Sequence, residues 1–269
     1  MFSPCLFVSL SPCLVFRMLS PIHETVTVQG LVGDLSFAQA TGDWAVVWVH
    51  GFGSRRGGEK SQAIEAACSR RGWTFAAFDF RGHGQSSGEM RDLRAATLLD
   101  DLDAIRGYLA LRGVRRIGLI GSSMGGFASA WYALRAGRDV VPACALLAPA
   151  FRFIQARWEM LSAEQCEQWR KSGVLSVQSE WVTAELGYGL AEERTQFQIG
   201  ELAARWDRPL LIFHGMRDTV IPFSTSVAFT EMTACPNVEL RLLKDGDHRL
   251  TAFADQIAEE ACRFLDHHR

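Results

Sequence analysis

The stretch RIGLIGSSMGG, residues 116–126, decides how the rest of the chain is read. It opens as a short apolar run, passes through Gly121-Ser122-Ser123-Met124-Gly125, and continues into a helical pattern from Met124. A bare G-x-S-x-G is weak in a chain with 24 glycines; the strand before it and the helix after it give it weight. A strand that turns at once into a helix forces the residue at the turn into a strained backbone, and small residues two positions to either side leave room for it. Ser123 is therefore the nucleophile candidate. Ser122 lacks this frame, because Ile120 and Met124 flank it, and is read as a packing or hydrogen-bonding residue.

A serine hydroxyl needs a base, and the base needs a group that fixes its tautomer. Asp218 follows the apolar run PLLIF (209–213), and His248 follows VELRLL (238–243). Each lies just past the carboxyl end of a predicted strand, the edge where Ser123 also emerges. The chain order Ser, Asp, His agrees with a G-x-S-x-G of this kind. Asp207, Asp245 and Asp247 are rival acids. Asp207 precedes its strand and the other two crowd His248 in sequence, so loop solvation and turn formation are their expected roles. The developing oxyanion also needs donors. His50-Gly51-Phe52-Gly53 follows the run AVVWV (45–49), and the amides of Phe52 and Met124 are the expected pair. His50, His83 and His214 are expected to be structural. No His or Cys spacing suggests a metal site, and no cofactor is expected.

Working outward, strands are predicted at 24–30 and 34–40, joined by a Leu31-Val32-Gly33 link as an antiparallel hairpin. Further strands are predicted at 45–49, 74–79, 116–120, 143–148, 209–213 and 238–243, with nearly continuous apolar character as for strands buried on both faces. Helical periodicity falls at 59–71, 93–112, 124–137, 223–234 and 250–266. This alternation predicts an α/β fold with a mostly parallel sheet covered by helices on both faces. Between Pro149 and Pro209 the rhythm breaks. The 59 residues there predict an insertion, over about 150–208, of a few short helices. It holds four of the eight tryptophans. Trp158, Trp181 and Tyr188 are candidates for lining a substrate pocket, against the plainer reading that they anchor the insertion.

The chain resembles the α/β-hydrolase family across residues 24–269, through HGFGS (50–54), DFRGHGQSSG (79–88), GSSMGG (121–126), HGMRDTVIP (214–222) and GDH (246–248). The resemblance implies an eight-stranded sheet, a Ser123-Asp218-His248 triad and a cap formed by the insertion. It is greatest towards small carboxylesterases and acyl-thioesterases. The nucleophile position holds a serine, so the dehalogenase reading is not carried over. The expected function is hydrolysis of carboxylic esters with small to medium acyl chains through an acyl-serine. The alternatives are an acyl-thioesterase, a peptidase, or a non-catalytic binding protein of the same fold.

Composition narrows the partners. The 28 Lys+Arg against 30 Asp+Glu leave a net charge of -2, which argues against nucleic acid. The seven cysteines are scattered and odd in number, as for reduced thiols used as core filler. Residues 1–20 are apolar, but Pro4 and Pro12 interrupt them and the first charge, Arg17, follows the apolar run instead of preceding it. They read as an N-terminal extension or a misassigned start ahead of a single domain over 21–269. No stable membrane insertion is expected, and a cytoplasmic location with a small-molecule ester or thioester substrate is the reading. Oligomeric state is not legible in the sequence.

Overall fold

The computed structural model describes residues 22–37, 42–178 and 182–269. The predicted extension at 1–20 lies outside them.

Ten strands and nine α-helices are described. The first hairpin is β1 (Ile22–Val28) and β2 (Leu31–Phe37). Then come β3 (Trp44–Val49), α1 (Glu59–Arg70), β4 (Thr74–Phe78), α2 (Ala95–Leu111), β5 (Arg116–Ser122), α3 (Met124–Ala136) and β6 (Cys144–Leu147). The insertion contributes α4 (Phe153–Glu159), α5 (Ala163–Ser172), β7 (Val174–Gln178), β8 (Thr183–Gly187), α6 (Tyr188–Glu192) and α7 (Ile199–Arg205). The chain ends with β9 (Leu210–Gly215), α8 (Ser224–Met232), β10 (Val238–Leu243) and α9 (Ala254–His268).

Eight strands form one sheet in the order β1-β2-β4-β3-β5-β6-β9-β10. The β1/β2 and β2/β4 pairs are antiparallel and the remainder parallel. The parallel strands are buried because helices cover both faces. Trp44, Val46 and Trp48 of β3 point to the layer of α1 and α9, while Ala45, Val47 and Val49 point to that of α2 and α3. The family fold read from the sequence is therefore present.

Three expectations need correction. The first turn lies at Gln29-Gly30, not at 31–33. Both residues have positive φ (51° and 84°), which closes a two-residue hairpin. Leu31 is then free to enter β2 as a fully buried residue. Second, β10 is an edge strand and is only partly buried, so Glu239 and Arg241 find solvent on its outer side. Third, the insertion is not made of helices alone. β7 and β8 pair antiparallel as a separate two-stranded ribbon, with Val174 opposite Gly187.

The insertion is fastened to the main layer by a buried carboxylate. Glu193 accepts hydrogen bonds from the Ala95 amide at 2.5 Å and the Ala96 amide at 3.3 Å. It thereby satisfies free N–H groups in the first turn of α2, which has no side-chain cap of its own. Among the described residues no helix is long and apolar enough to cross a membrane.

Candidate active site

The carboxyl ends of β3, β5, β6, β9 and β10 lie along one edge of the sheet, and their loops build the site. Ser123 terminates β5 and precedes α3 with φ 55° and ψ -117°, a backbone that L-residues seldom adopt. Its neighbours show why the glycines are needed. A Cβ on Gly121 would stand 2.4 Å from the Gly125 carbonyl oxygen, and one on Gly125 would stand 2.1 Å from that of Val49. No side chain fits at either place, so the sequence spacing follows from close approach of β5, α3 and β3.

The Ser123 hydroxyl lies 3.2 Å from His248 Nε2, and His248 Nδ1 lies 2.8 Å from Asp218 Oδ2. These three side chains, 95 and 30 residues apart in sequence, meet as one hydrogen-bonded chain. The loops after β9 and β10 are also tied to each other. The Arg217 amide donates to the Gly246 carbonyl at 2.9 Å, and the Met216 amide to that of Leu243.

Asp218 is buried and fully used. Its Oδ1 accepts from the Val220 and Ile221 amides, both at 2.8 Å, and its Oδ2 lies 3.2 Å from His214 Nε2 as well as against His248. Burial alone would raise this carboxyl. The hydrogen bonds from His214, His248 and the Ile221 amide outweigh it and hold the group well below the usual carboxylate range. An acid kept ionised in this way can orient and stabilise an imidazolium.

The turn after β3 packs closely on Ser123: a Cβ on Gly51 would meet Ser123 Cβ at 3.3 Å. In that turn the Ser54 amide donates to the Gly51 carbonyl, and at the head of α3 the Ser123 amide donates to Leu147. Among the described residues no acceptor takes the Phe52 or Met124 amide. His50 is buried beneath the turn. Its Nδ1 lies 2.8 Å from the Gly51 carbonyl and its Nε2 accepts from the Phe80 amide at 3.0 Å. Burial and the adjacent His83 push it down to about 4, so it is a neutral brace. His83 packs against His50 and Phe52. The neighbouring Asp79 anchors its loop by accepting from Arg56 and from the Gln85 amide. Asp247 accepts from the Leu250 amide, Asp245 pairs with Arg217, and Asp207 pairs with Arg208.

The pocket candidates part company. Trp158 and Tyr188 pack with Trp169 inside the insertion, their ring centroids about 6 Å apart, and border a cavity of about 680 Å³ with Leu161 and Cys166. Neither Ser123, Asp218 nor His248 borders that cavity. Trp181 lies outside the described residues. From the turn after β3, the half-buried rings of Phe52 and Phe153 and the buried ring of Phe127 follow one another at about 6 Å.

Three contacts near the site escape the sequence reading. His214, expected to be structural, meets Asp218 through its ring Nε2 as well as the Ile221 carbonyl. Its place four residues before the acid is the one signal that could have pointed to it. Lys60 of α1 donates to Ser122 Oγ at 3.1 Å and to the Arg249 carbonyl at 2.7 Å. Arg157 of α4 stands over the Phe52 ring. Neither cation sits in a motif.

Comparison with known proteins bears on the family and the fold. A family model described as the alpha/beta hydrolase fold matches residues 45–196. The palmitoyl-protein thioesterase ABHD10, mitochondrial, of Bos taurus is 26% identical over 213 residues, covering 78% of this chain and 68% of that protein. A protein of Agrobacterium vitis S4 superposes with a TM-score of 0.80 at 24% identity, over 92% of this chain and 100% of that one. Est1E from Butyrivibrio proteoclasticus, with ferulic acid bound, superposes with a TM-score of 0.75 at 20% identity, over 91% and 98%. The chain belongs to the α/β-hydrolase family.

Proposed function

We propose that the protein is a serine hydrolase that cleaves carboxylic esters of small to medium acyl chains through an acyl-serine. The reading rests above all on the unbroken sequence of contacts from Asp218 through His248 to Ser123. His248 Nε2 takes the Ser123 proton as Oγ adds to the carbonyl carbon, and ionised Asp218 stabilises the resulting imidazolium. The Phe52 and Met124 amides donate to the oxyanion. Collapse expels the alcohol, protonated by His248, and a water deprotonated by His248 then releases the acid from Ser123.

A second leaving-group class, the acyl thioester, is favoured by the bovine relative, whose name is that of a thioesterase. The triad chemistry is shared, so the leaving group is the point to test. The cytoplasmic reading stands as a proposal too, and that relative is named mitochondrial.

The test is a panel of aryl esters and acyl thioesters of graded chain length, run on wild type and Ser123→Ala. Turnover by the wild type that falls by at least roughly a thousandfold in the variant supports the reading. Fluorophosphonate must label wild type at Ser123. Folded wild-type protein that neither labels nor turns over any member of the panel would point to the binding-protein alternative.

A further inference from the structure

A half-buried cation, unpaired with any carboxylate among the described residues, stands over Phe52 in the turn after β3. Arg157 lies on α4, with its guanidinium carbon 5.6 Å from the centroid of the Phe52 ring. Its Nε is buried and, among the described residues, has no hydrogen-bond partner. Among the described residues no carboxylate pairs with it, whereas Arg152 on the same segment pairs with Glu159 at 2.5 Å. Burial pushes its guanidinium below the usual arginine range, with no acid acting in the other direction. A desolvated charge left without a partner is unfavourable to the fold, and arginine offers a planar fork of donors that matches a carboxylate.

The position of this cation relative to the nucleophile gives it a use. Gly51 leaves no room for a side chain against Ser123, the next residue is Phe52, and the Phe52 ring lies under Arg157. A substrate held at Ser123 and laid along the Phe52 ring would bring its far end to the guanidinium.

We propose that Arg157 is a specificity-determining residue that binds a carboxylate carried by the substrate, so that the preferred substrates are anionic esters or thioesters. The proposal rests on the hydrolase reading above. The carboxylate belongs either to the acyl part or to the leaving group, and the recognition chemistry is the same. Arg157 forms no bond to the reacting atoms. It adds a charge-assisted, two-point contact that holds one end of the substrate while Ser123 meets the other. The plainer role for this side chain is a cation–π clamp that steadies Phe52, and the two roles differ in what they discriminate.

The experiment uses two pairs of esters. Mono(4-nitrophenyl) glutarate against 4-nitrophenyl pentanoate places the charge on the acyl side, and 4-carboxyphenyl butyrate against 4-acetylphenyl butyrate places it on the leaving group. In at least one pair the wild type is expected to favour the anionic member in kcat/KM. Arg157→Met is expected to lower that anionic-to-neutral ratio by about tenfold or more, and Arg157→Lys to retain part of it. The pair that responds identifies the side that carries the charge. A clamp on Phe52 lowers both members together and leaves the ratio unchanged, which would overturn the proposal. If the variants do not fold, the wild type decides. Its preference for the anionic member must fall as salt rises, and a ratio indifferent to salt overturns the proposal. Hydrolysis of all four esters with an unmoved ratio removes this inference alone, whereas hydrolysis of none removes the serine-hydrolase reading and this one with it.

Discussion

The Lys60 ammonium donates to Ser122 Oγ at 3.1 Å and to the Arg249 carbonyl at 2.7 Å, so one side chain of α1 holds the residue before Ser123 and the residue after His248. Those two loops are 127 residues apart in sequence, counting from 122 to 249. Lys60→Met is expected to lower kcat by roughly tenfold with little change in KM, because a hydrogen bond from a charged group to each loop is lost. Burial pushes Lys60 down to about 8, against about 10.4 in an unfolded chain. Between those values the unfolded state binds more protons, so this group makes stability rise with pH across that window. Denaturant titrations at pH values spanning it should show wild type gaining on Lys60→Met. Parallel curves would mean that Lys60 does not experience the burial described.

Asp218 carries the opposite sign. Its carboxyl is lowered on folding, so its contribution is fully present above the unfolded value of about 3.9 and is lost as pH falls towards the folded one. Asp218→Asn should therefore cost about 1–3 kcal/mol at neutral pH, since two amides and two imidazoles lose a charged acceptor, and much less near pH ~2. Urea unfolding of both proteins at the two pH values measures the difference. Activity at neutral pH should drop by about 10³–10⁴, because the His248 tautomer is no longer fixed.

Two glycines make a paired test of loop packing. A Cβ on Gly215 would stand 2.2 Å from the Gly246 carbonyl oxygen and 2.6 Å from that of Asp247, both backbone atoms directly before His248. Gly215→Ala is expected to destabilise by about 1–3 kcal/mol and to displace the base loop, lowering kcat. Gly107 lies inside α2 with nothing within 4 Å of its added Cβ. The same substitution there should stabilise by about 0.5–1 kcal/mol with kinetics unchanged. Thermal melts and steady-state rates on the two variants suffice. Equal effects would show that close approach of the loops is not what the glycine provides.

What could be read from the chain follows from where each residue's constraint originates. Ser123, Asp218 and His248 stand within a few residues of the ends of apolar runs, and a parallel sheet brings all such positions to one edge, so local pattern already pointed to their meeting. The contact between β7 and β8 was not legible. VLSVQ and TAELG are short and carry no strong alternation, and the ribbon they form is fixed by pairing with each other. The turn at Gln29-Gly30 was missed because Leu31-Val32-Gly33 ends in a glycine that resembles a link, although Gly33 sits against the Ala77 carbonyl oxygen in the sheet. Lys60 and Arg157 act across distances of sequence that periodicity does not record. Trp158 and Tyr188 pack on Trp169 within the insertion and border a cavity there, and composition could not tell that this cavity is not lined by Ser123, Asp218 or His248.

Glu193 tests whether the insertion is held from within the protein or rests passively on it. Its carboxylate is buried and receives the Ala95 and Ala96 amides at the start of α2, so it serves both as an anchor for the insertion and as a substitute cap for a helix lacking one. Glu193→Ala removes the acceptor and leaves two amides unsatisfied in a part-buried site, a change of about 1–3 kcal/mol. The expected signature is local before it is global: faster amide exchange at Ala95 and Ala96 and earlier proteolytic cleavage within 188–200, accompanied by a lower Tm. Ser123 should still be labelled by fluorophosphonate, since its partners come from β9 and β10 and not from the insertion. Loss of labelling together with unchanged exchange at α2 would mean that the carboxylate acts on the triad and not on the helix.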